Sequence, residues 1–296
     1  MTSNVSPPPF YDDLGKSVED LFSKGYNFDT VKLDVKTTAP TGTKYNHSVT
    51  SHIDSGKFLG TAQATTRFEK YGINNTMRWN TSNIMGTELS WDYLKNAKIS
   101  LESTYPVRNP INRFWNLKTE YRNNRLALRT DVDCKTATIS ASGVFRIQDG
   151  WFVGLLSKFD TKGSNTLKST KLALGYHSKE FAVHGIISDE EFFNCHLYHQ
   201  VNPSLETGVE ISSPKENIDP KFGICCKYDW DRDTAVRAKV DNSSQIGLSF
   251  THKIKDGITI TLSALINGKN FNQGGHKIGL GIEFEPYCSH ASLSTS

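Results

Sequence analysis

An alternation of apolar and polar residues with a period of two runs from about residue 29 to the end of the sequence. In the stretch DGITITLSALI, which begins at Asp256, Ile258 and Leu262 fall on one parity, whereas Thr259 and Thr261 fall on the other. Residues two apart lie on the same face of a β-strand. Turn-forming clusters such as APTG, IDSG, TKGSN and IKDG separate these runs. With about 10 residues per strand and about 4 per turn, the sequence predicts about nineteen strands.

A sheet of this size has unpaired edges unless it closes on itself. On the face formed by the apolar residues, many side chains are small. Aromatic residues lie near the strand ends, as in a lipid-facing band between aromatic girdles: Tyr71, Trp79, Trp91, Tyr105, Trp115, Tyr176 and Trp230. The opposite face has charged residues in the middle of the strands. Water in a lumen would solvate these charges, whereas a dry protein core would not: Lys32, Asp34, Arg129, Asp131, Arg237 and Lys239. The pattern favours an all-β transmembrane barrel over a soluble β-rich binding protein, which stays as the alternative.

The composition argues against several other classes of protein. No apolar run approaches the roughly 18 residues that a membrane helix needs. The formal net charge of +3, from 34 basic and 31 acidic residues, is too small and too dispersed for a nucleic-acid binder. The five cysteines are scattered along the chain, so we expect free thiols and not a disulfide framework or a zinc site.

The amino-terminal stretch MTSNVSPPPFYDDLG lacks the apolar core of a secretory signal and the arginines of a cleaved transit peptide. We therefore expect synthesis in the cytosol without cleavage. One helix is predicted, from about Tyr11 to Lys24, with a narrow apolar stripe at helical spacing: Leu14, Val18, Leu21 and Phe22. Because Lys16, Asp20 and Lys24 form a polar stripe on another face, we expect this helix to pack on one side and face water on the other.

The sequence has no complete motif for catalysis, for a cofactor or for a metal ion. Gly15-Lys16-Ser17 resembles the end of a P-loop, but Phe10 stands where that motif requires glycine. The nine histidines lack the spacing of two ligands on one helix face. We therefore expect no enzymatic activity, no catalytic residue, no cofactor and no metal site.

Three stretches together resemble the mitochondrial porin family, the voltage-dependent anion channels of the outer membrane. PPPFYDDLGKSVEDLFSKGYNF resembles the family's amino-terminal helix and hinge, and EKYGINNTMRWNTSN resembles its early hairpin. VDNSSQIGLSFTHKIKDGITITLSALINGKNFNQGGHKIGLGIEFE resembles its last three strands. The resemblance covers essentially the whole chain and is most specific at the two ends. It implies a nineteen-stranded barrel whose first and last strands pair in parallel, with the amino-terminal amphipathic helix in the lumen. Nineteen is the strand number of the mitochondrial channel that serves as the general example of an odd-numbered barrel.

The resemblance also implies a function: a voltage-gated, weakly anion-selective channel of the mitochondrial outer membrane that passes ATP, ADP, small metabolites and ions. Lys16 and Lys24 match the helix lysines with which the family meets nucleotide phosphates. Among others, the cations expected to line the pore and bias its selectivity are Lys32, Arg129, Arg237 and Lys239. A protein-import pore of the same barrel fold is the alternative within this architecture.

The last strand fits the signal by which the outer-membrane machinery recognises barrels, through Lys277, Gly279, Ile282 and Phe284. The implied organisation is an amino-terminal segment with the pore helix (1–28), a transmembrane barrel (29–285) and a carboxy-terminal tail (286–296). Expected partners are membrane lipid, nucleotides and small anionic metabolites; a homo-oligomer is compatible with the family, and nucleic acid is not expected.

Two departures from the family pattern bear on partners and gating. Met77 stands where the family often has a membrane-facing glutamate, which puts partners of the hexokinase and apoptosis type in doubt. The hinge KGYNFD keeps Gly25 but lacks a second glycine, which would stiffen it.

Overall fold

The computed structural model describes residues 7–286, with gaps at 95, 109–110, 112, 163–165, 190–192, 215–218 and 273. Nineteen strands lie within these residues: β1 Thr30–Thr38, β2 Lys44–His52, β3 Phe58–Phe68, β4 Ile73–Asn80, β5 Ile84–Leu94, β6 Ala97–Pro106, β7 Phe114–Arg122, β8 Leu126–Asp133, β9 Thr138–Gln148, β10 Trp151–Asp160, β11 Thr166–His177, β12 Phe181–Ser188, β13 Phe193–Asn202, β14 Leu205–Ser213, β15 Lys221–Asp229, β16 Thr234–Asp241, β17 Gln245–Lys255, β18 Ile258–Asn267 and β19 Lys277–Phe284. The predicted strand number is confirmed.

The strands form one closed sheet, which removes both edges. Each strand pairs antiparallel with the next one along the chain, and β1 closes the barrel by pairing in parallel with β19. The parallel register joins Val31 to Leu280 and Val35 to Phe284. The expected parallel closure is therefore confirmed, and it follows from the odd number of strands.

The period-two pattern sorts the side chains between the two sides of the wall. On β18, Leu262 lies outward, and Ser263 lies inward, where its hydroxyl accepts a hydrogen bond from the backbone N–H of Asn27. The outer surface exposes large apolar side chains; Trp79 and Trp115, for example, are 44% and 42% exposed. A soluble fold would bury such an apolar face, so the outer wall has the surface of a barrel that contacts lipid.

The amino-terminal residues lie inside the barrel, but the helix is shorter than predicted. A 3-10 helix covers Tyr11–Asp13, and the α-helix, α1, covers only Lys16–Ser23. Gly15 separates the two with a left-handed backbone (φ 80°), a conformation that breaks helical hydrogen bonding and that glycine adopts at low cost. The expectation of one continuous helix from Tyr11 to Lys24 was therefore wrong at its first turn.

Within the described part of the chain, no helix has the length and the apolar character needed to cross a bilayer.

Four described cysteines are free thiols, as expected: Cys134, Cys195, Cys225 and Cys226. The fifth, Cys288, lies outside the described residues, as do residues 1–6 and 287–296. The division into 1–28, 29–285 and 286–296 stays a prediction.

Candidate permeation pathway

A glycine track on the inner wall receives the amino-terminal segment. At each position of this track, a Cβ atom would lie close to a residue of the segment: Gly154 to Tyr11, Gly208 to Leu21, Gly223 to Phe22, Gly247 to Phe28, Gly279 and Gly281 to Asn27. The segment therefore lies in near-backbone contact with the wall. Alternation marks these glycines as inward-facing, but nothing local in the sequence tells which of them lie under the segment.

The first turn packs on an apolar patch of the inner wall. Tyr11 and Leu14 are 6% and 3% exposed and pack in one cluster with Val144, Phe152 and Ala173. Further along, Val18 and Leu21 are 1% and 3% exposed. The predicted apolar face of the helix is confirmed. A signal for its docking site was present in WFVGLL, where both parities of β10 are apolar, a pattern that indicates burial on both faces.

Lys239 and Arg237, two of the expected pore-lining cations, lie against the carboxy-terminal end of the segment. The Lys239 ammonium donates a hydrogen bond to the Phe22 carbonyl at 2.7 Å and lies 4.4 Å from the centre of the Tyr26 ring. A cation at the last turn satisfies a free helix carbonyl. Arg237 lies beside Gly25, whose carbonyl accepts a hydrogen bond from Ser249.

The other two expected pore-lining cations, Lys32 and Arg129, lie in ion pairs on the inner wall. Lys32 lies 2.7 Å from Asp34 of the same strand. Arg129 contacts Asp12 of the segment at 2.5 Å and Glu120 of β7 at 2.9 Å. Alternation placed the four cations on the inner face but did not reveal these contacts.

The two helix lysines face the lumen, and each is paired within the segment. The Lys16 ammonium lies 3.1 Å from Asp13, and that of Lys24 lies 2.7 Å from Asp20; the lysine side chains are 58% and 63% exposed. The hydrogen bond from Lys16 to the Asp13 carboxylate raises the pKa of Lys16. Both ammonium groups remain accessible to an anion that competes with the acid.

A polar cavity of about 310 Å³ lies between α1 and the wall. It brings together residues from α1 and its carboxy-terminal cap, and from β13, β14, β15 and β16: Ser17, Asp20, Leu21, Lys24, Tyr198, Glu206, Lys227 and Arg237. Lys24 and Arg237 thus meet at one site, whereas Lys16 lies outside its lining. Lys227 and Tyr198 were not among the predicted site residues, although both side chains fall on the inward-facing positions of their strands.

Away from the segment, an alternating network of charges crosses four strands of the inner wall. Arg78 on β4 lies 2.7 Å from Glu88 on β5 and 3.6 Å from Glu102 on β6. Glu102 also lies 3.3 Å from Lys118 on β7. Water in the lumen solvates these groups, and the mutual pairing keeps the local charge close to balanced.

The four residues of the expected sorting signal divide between the faces of β19. Lys277 lies inward, 3.6 Å from Asp29 and 3.8 Å from Asp54. Gly279 also lies inward, where a Cβ would overlap the Asn27 carbonyl. Ile282 and Phe284 lie outward. Gly279 thus has a packing requirement of its own, and the sorting role stays a prediction.

Met77 lies on the outer face of β4, opposite Ala64 and Thr87, and is 49% exposed. No carboxylate therefore occupies this outward position. Among the described residues, no group of three or more His, Cys, Asp or Glu side chains is arranged to hold a metal ion.

Comparison with known proteins places this architecture in a family. The sequence model for eukaryotic porin matches residues 7–279. The chain is 40% identical over 282 residues to the voltage-dependent anion-selective channel of Drosophila melanogaster, across 94% of this chain and 99% of that relative. It is 38% identical over 284 residues to the non-selective voltage-gated ion channel VDAC1 of Ovis aries, across 95% and 100%. For the non-selective voltage-gated ion channel VDAC2 of Xenopus laevis, identity is 38% over 281 residues, across 94% and 99%. The chain belongs to the eukaryotic porin family.

Proposed function

We propose that this protein is a voltage-gated, weakly anion-selective channel of the mitochondrial outer membrane that passes ATP, ADP, small metabolites and ions. The observation that supports this function is a closed nineteen-stranded barrel with an apolar exterior, a charged lumen and a helix docked inside. The channel relatives named above have full-length similarity to the chain. The proposed role is transport and not catalysis.

The size of the barrel suits metabolites. Nineteen strands about 4.8 Å apart and tilted by about 40° give a backbone diameter of roughly 38 Å. Side chains narrow this opening to about 25 Å, and a helix about 10 Å thick fits inside without sealing it. Nucleotides pass through such an opening, whereas folded proteins do not.

The selectivity is expected to be weak. Charges are screened over about 8 Å at physiological salt, which is less than the radius of the lumen. Many cations of the inner wall are also paired with acids, as in the network around Arg78 and Glu102. The exposed ammonium groups of Lys16 and Lys24 favour anions slightly.

We further propose that nucleotide phosphates contact Lys24 in the cavity beside α1, with Arg237 as a second cation and with Lys16 meeting them separately. The phosphate would displace Asp20 from Lys24, and this competition is consistent with transient binding. Lys32, Arg129 and Lys239 act in this proposal through the shape and charge of the inner wall.

The proposed organisation keeps residues 1–28 as a pore-helix segment, 29–285 as the barrel and 286–296 as a tail. Partners in the proposal are membrane lipid, nucleotides and small anionic metabolites. Because Met77 replaces an outward carboxylate, we propose no partner that depends on that acid.

Planar-bilayer recording of the purified protein tests the proposed function. We expect large open conductance that falls as the voltage grows at either polarity. Under a salt gradient, the reversal potential should show a preference for anions of no more than a few-fold. A protein that forms no pore, or one that strongly prefers cations, would contradict the proposal.

A further inference from the structure

Two arginines of the inner wall enclose the ring of Phe10. The Arg129 guanidinium lies 4.5 Å from the ring centre, and that of Arg122 lies 5.3 Å away. Guanidinium groups are attracted to aromatic rings at such distances. Because Arg129 lies within β8 and Arg122 ends β7, both cations belong to the barrel, whereas Phe10 belongs to the amino-terminal segment.

The same two arginines hold the backbone and the carboxylate beside Phe10. Arg122 donates hydrogen bonds to the carbonyls of Pro8 at 2.8 Å and Pro7 at 3.3 Å. Arg129 contacts the Asp12 carboxylate at 2.5 Å, while its second terminal nitrogen lies 2.9 Å from Glu120 on the neighbouring strand. Its planar fork thus bridges an acid of the wall and an acid of the segment, which a lysine does less well.

The charges further along the segment are arranged differently. Lys16 pairs with Asp13 and Lys24 pairs with Asp20, so these ion pairs move with the segment and do not oppose its displacement. The ion pair between Asp12 and Arg129 joins the segment to the wall, so it must break before residues 7–12 leave the wall.

We propose that Arg122 and Arg129 form a clamp on Phe10 and Asp12 that holds the segment against the wall in the open channel, and that opening this clamp is part of the work done by the closing voltage. The inference rests on the proposed voltage gating. The two arginines are positioning residues, because they act through the segment and not on the permeating ion.

Reversal of the clamp charge in bilayer recordings tests this inference. In the Asp12→Arg variant, the closed-to-open ratio at a fixed voltage should rise about 5- to 10-fold, because repulsion replaces attraction to Arg129. The Asp12→Arg/Arg129→Asp double variant should return to within about 2-fold of the wild type. Glu19→Arg is the matched control, since it makes the same charge change on an exposed position of α1, where within the described residues no ion pair joins Glu19 to the wall, and it should stay within about 2-fold. Equal shifts for Asp12→Arg and Glu19→Arg, or no recovery in the double variant, would overturn the clamp.

Hydrogen exchange in detergent micelles tests the clamp without any voltage. The amides of residues 10–14 should exchange faster in Asp12→Arg than in the wild type and recover protection in the double variant. Unchanged exchange would overturn the clamp even if the channel gates. A wild-type protein that passes no current would instead refute the proposed function, and the exchange result would still decide whether the clamp holds the segment.

Discussion

At the scale of single residues, Tyr11 shows how tightly the segment is held. Its ring is 6% exposed and lies against Gly154, where a Cβ would crowd it. Burial, and to a lesser degree the charge of Asp12, raises the pKa of Tyr11 to about 12. The docked segment therefore strongly favours the neutral phenol, because burial would deprive a phenolate of its hydration.

This preference predicts that docking depends on pH in the alkaline range. An exposed tyrosine titrates near pH 10, so docking is unaffected below that value and is lost as the pH rises from 10 towards 12. The loss amounts to about 2–3 kcal/mol, at about 1.36 kcal/mol for each pKa unit. Tyrosinate absorbance of the wild type minus that of Tyr11→Phe isolates this group. A Tyr11 that titrates with the exposed tyrosines would contradict the prediction.

At the scale of elements, α1 depends on the wall for its stability. A helix of eight residues is too short to be stable alone in water, so packing has to supply the free energy. Its sequence indicated the correct apolar face, since Val18 and Leu21 recur at helical spacing. The break at Gly15 was missed, because nothing local in the sequence distinguishes a tolerated glycine from one that takes a left-handed backbone. The surface to which α1 docks depends on contacts between distant residues, which alternation does not encode.

Filling the glycine track under α1 should detach it. In Gly208→Val, the new Cβ would lie 2.8 Å from the Cys225 sulfur and 3.2 Å from the Leu21 side chain. We expect the docked state to lose about 1–3 kcal/mol through overpacking. Hydrogen exchange of the amides in Lys16–Ser23, measured in micelles, should accelerate accordingly.

Gly185→Val is the control for that change. Gly185 lies on the outer face of β12, where the closest atom to a new Cβ is 3.7 Å away on Phe193. The same substitution should therefore leave the exchange of α1 unchanged. Equal protection of α1 in the two variants would show that the track does not support the helix.

At the scale of the whole molecule, the parallel contact between β1 and β19 closes the barrel. The period-two pattern was sufficient to predict the strand number and which residues face outward or inward, because alternate residues of each strand face lipid or the lumen. It did not predict the ion pairs of the lumen, such as Lys36 with Glu283 across the seam. The pair at the seam depends on the register between the first and last strands, which are far apart in the sequence.

Reversing one charge at the seam should weaken closure slightly. In Lys36→Glu, two carboxylates face each other across β1 and β19. Because the paired side chains are 44% and 40% exposed, we expect a loss of only about 0.5–1 kcal/mol in the free energy of unfolding. Denaturant midpoints in micelles measure the loss, and Lys36→Glu/Glu283→Lys should recover it. Lys44→Glu on β2 makes the same charge change away from the seam; a loss as large there would argue against a specific effect.

The docked segment also makes the inner wall of the pore asymmetric. The contacts described above fall on β7–β11 and β13–β19, and none of them falls on β1–β6. A solute therefore takes an off-centre route, and beside it lies the balanced row of Arg78, Glu88, Glu102 and Lys118. Discrimination between ions then depends on which part of the wall the segment covers. If the segment shifted sideways, the channel would expose a different set of charges to the passage, and its preference between anions and cations could change without any change in diameter.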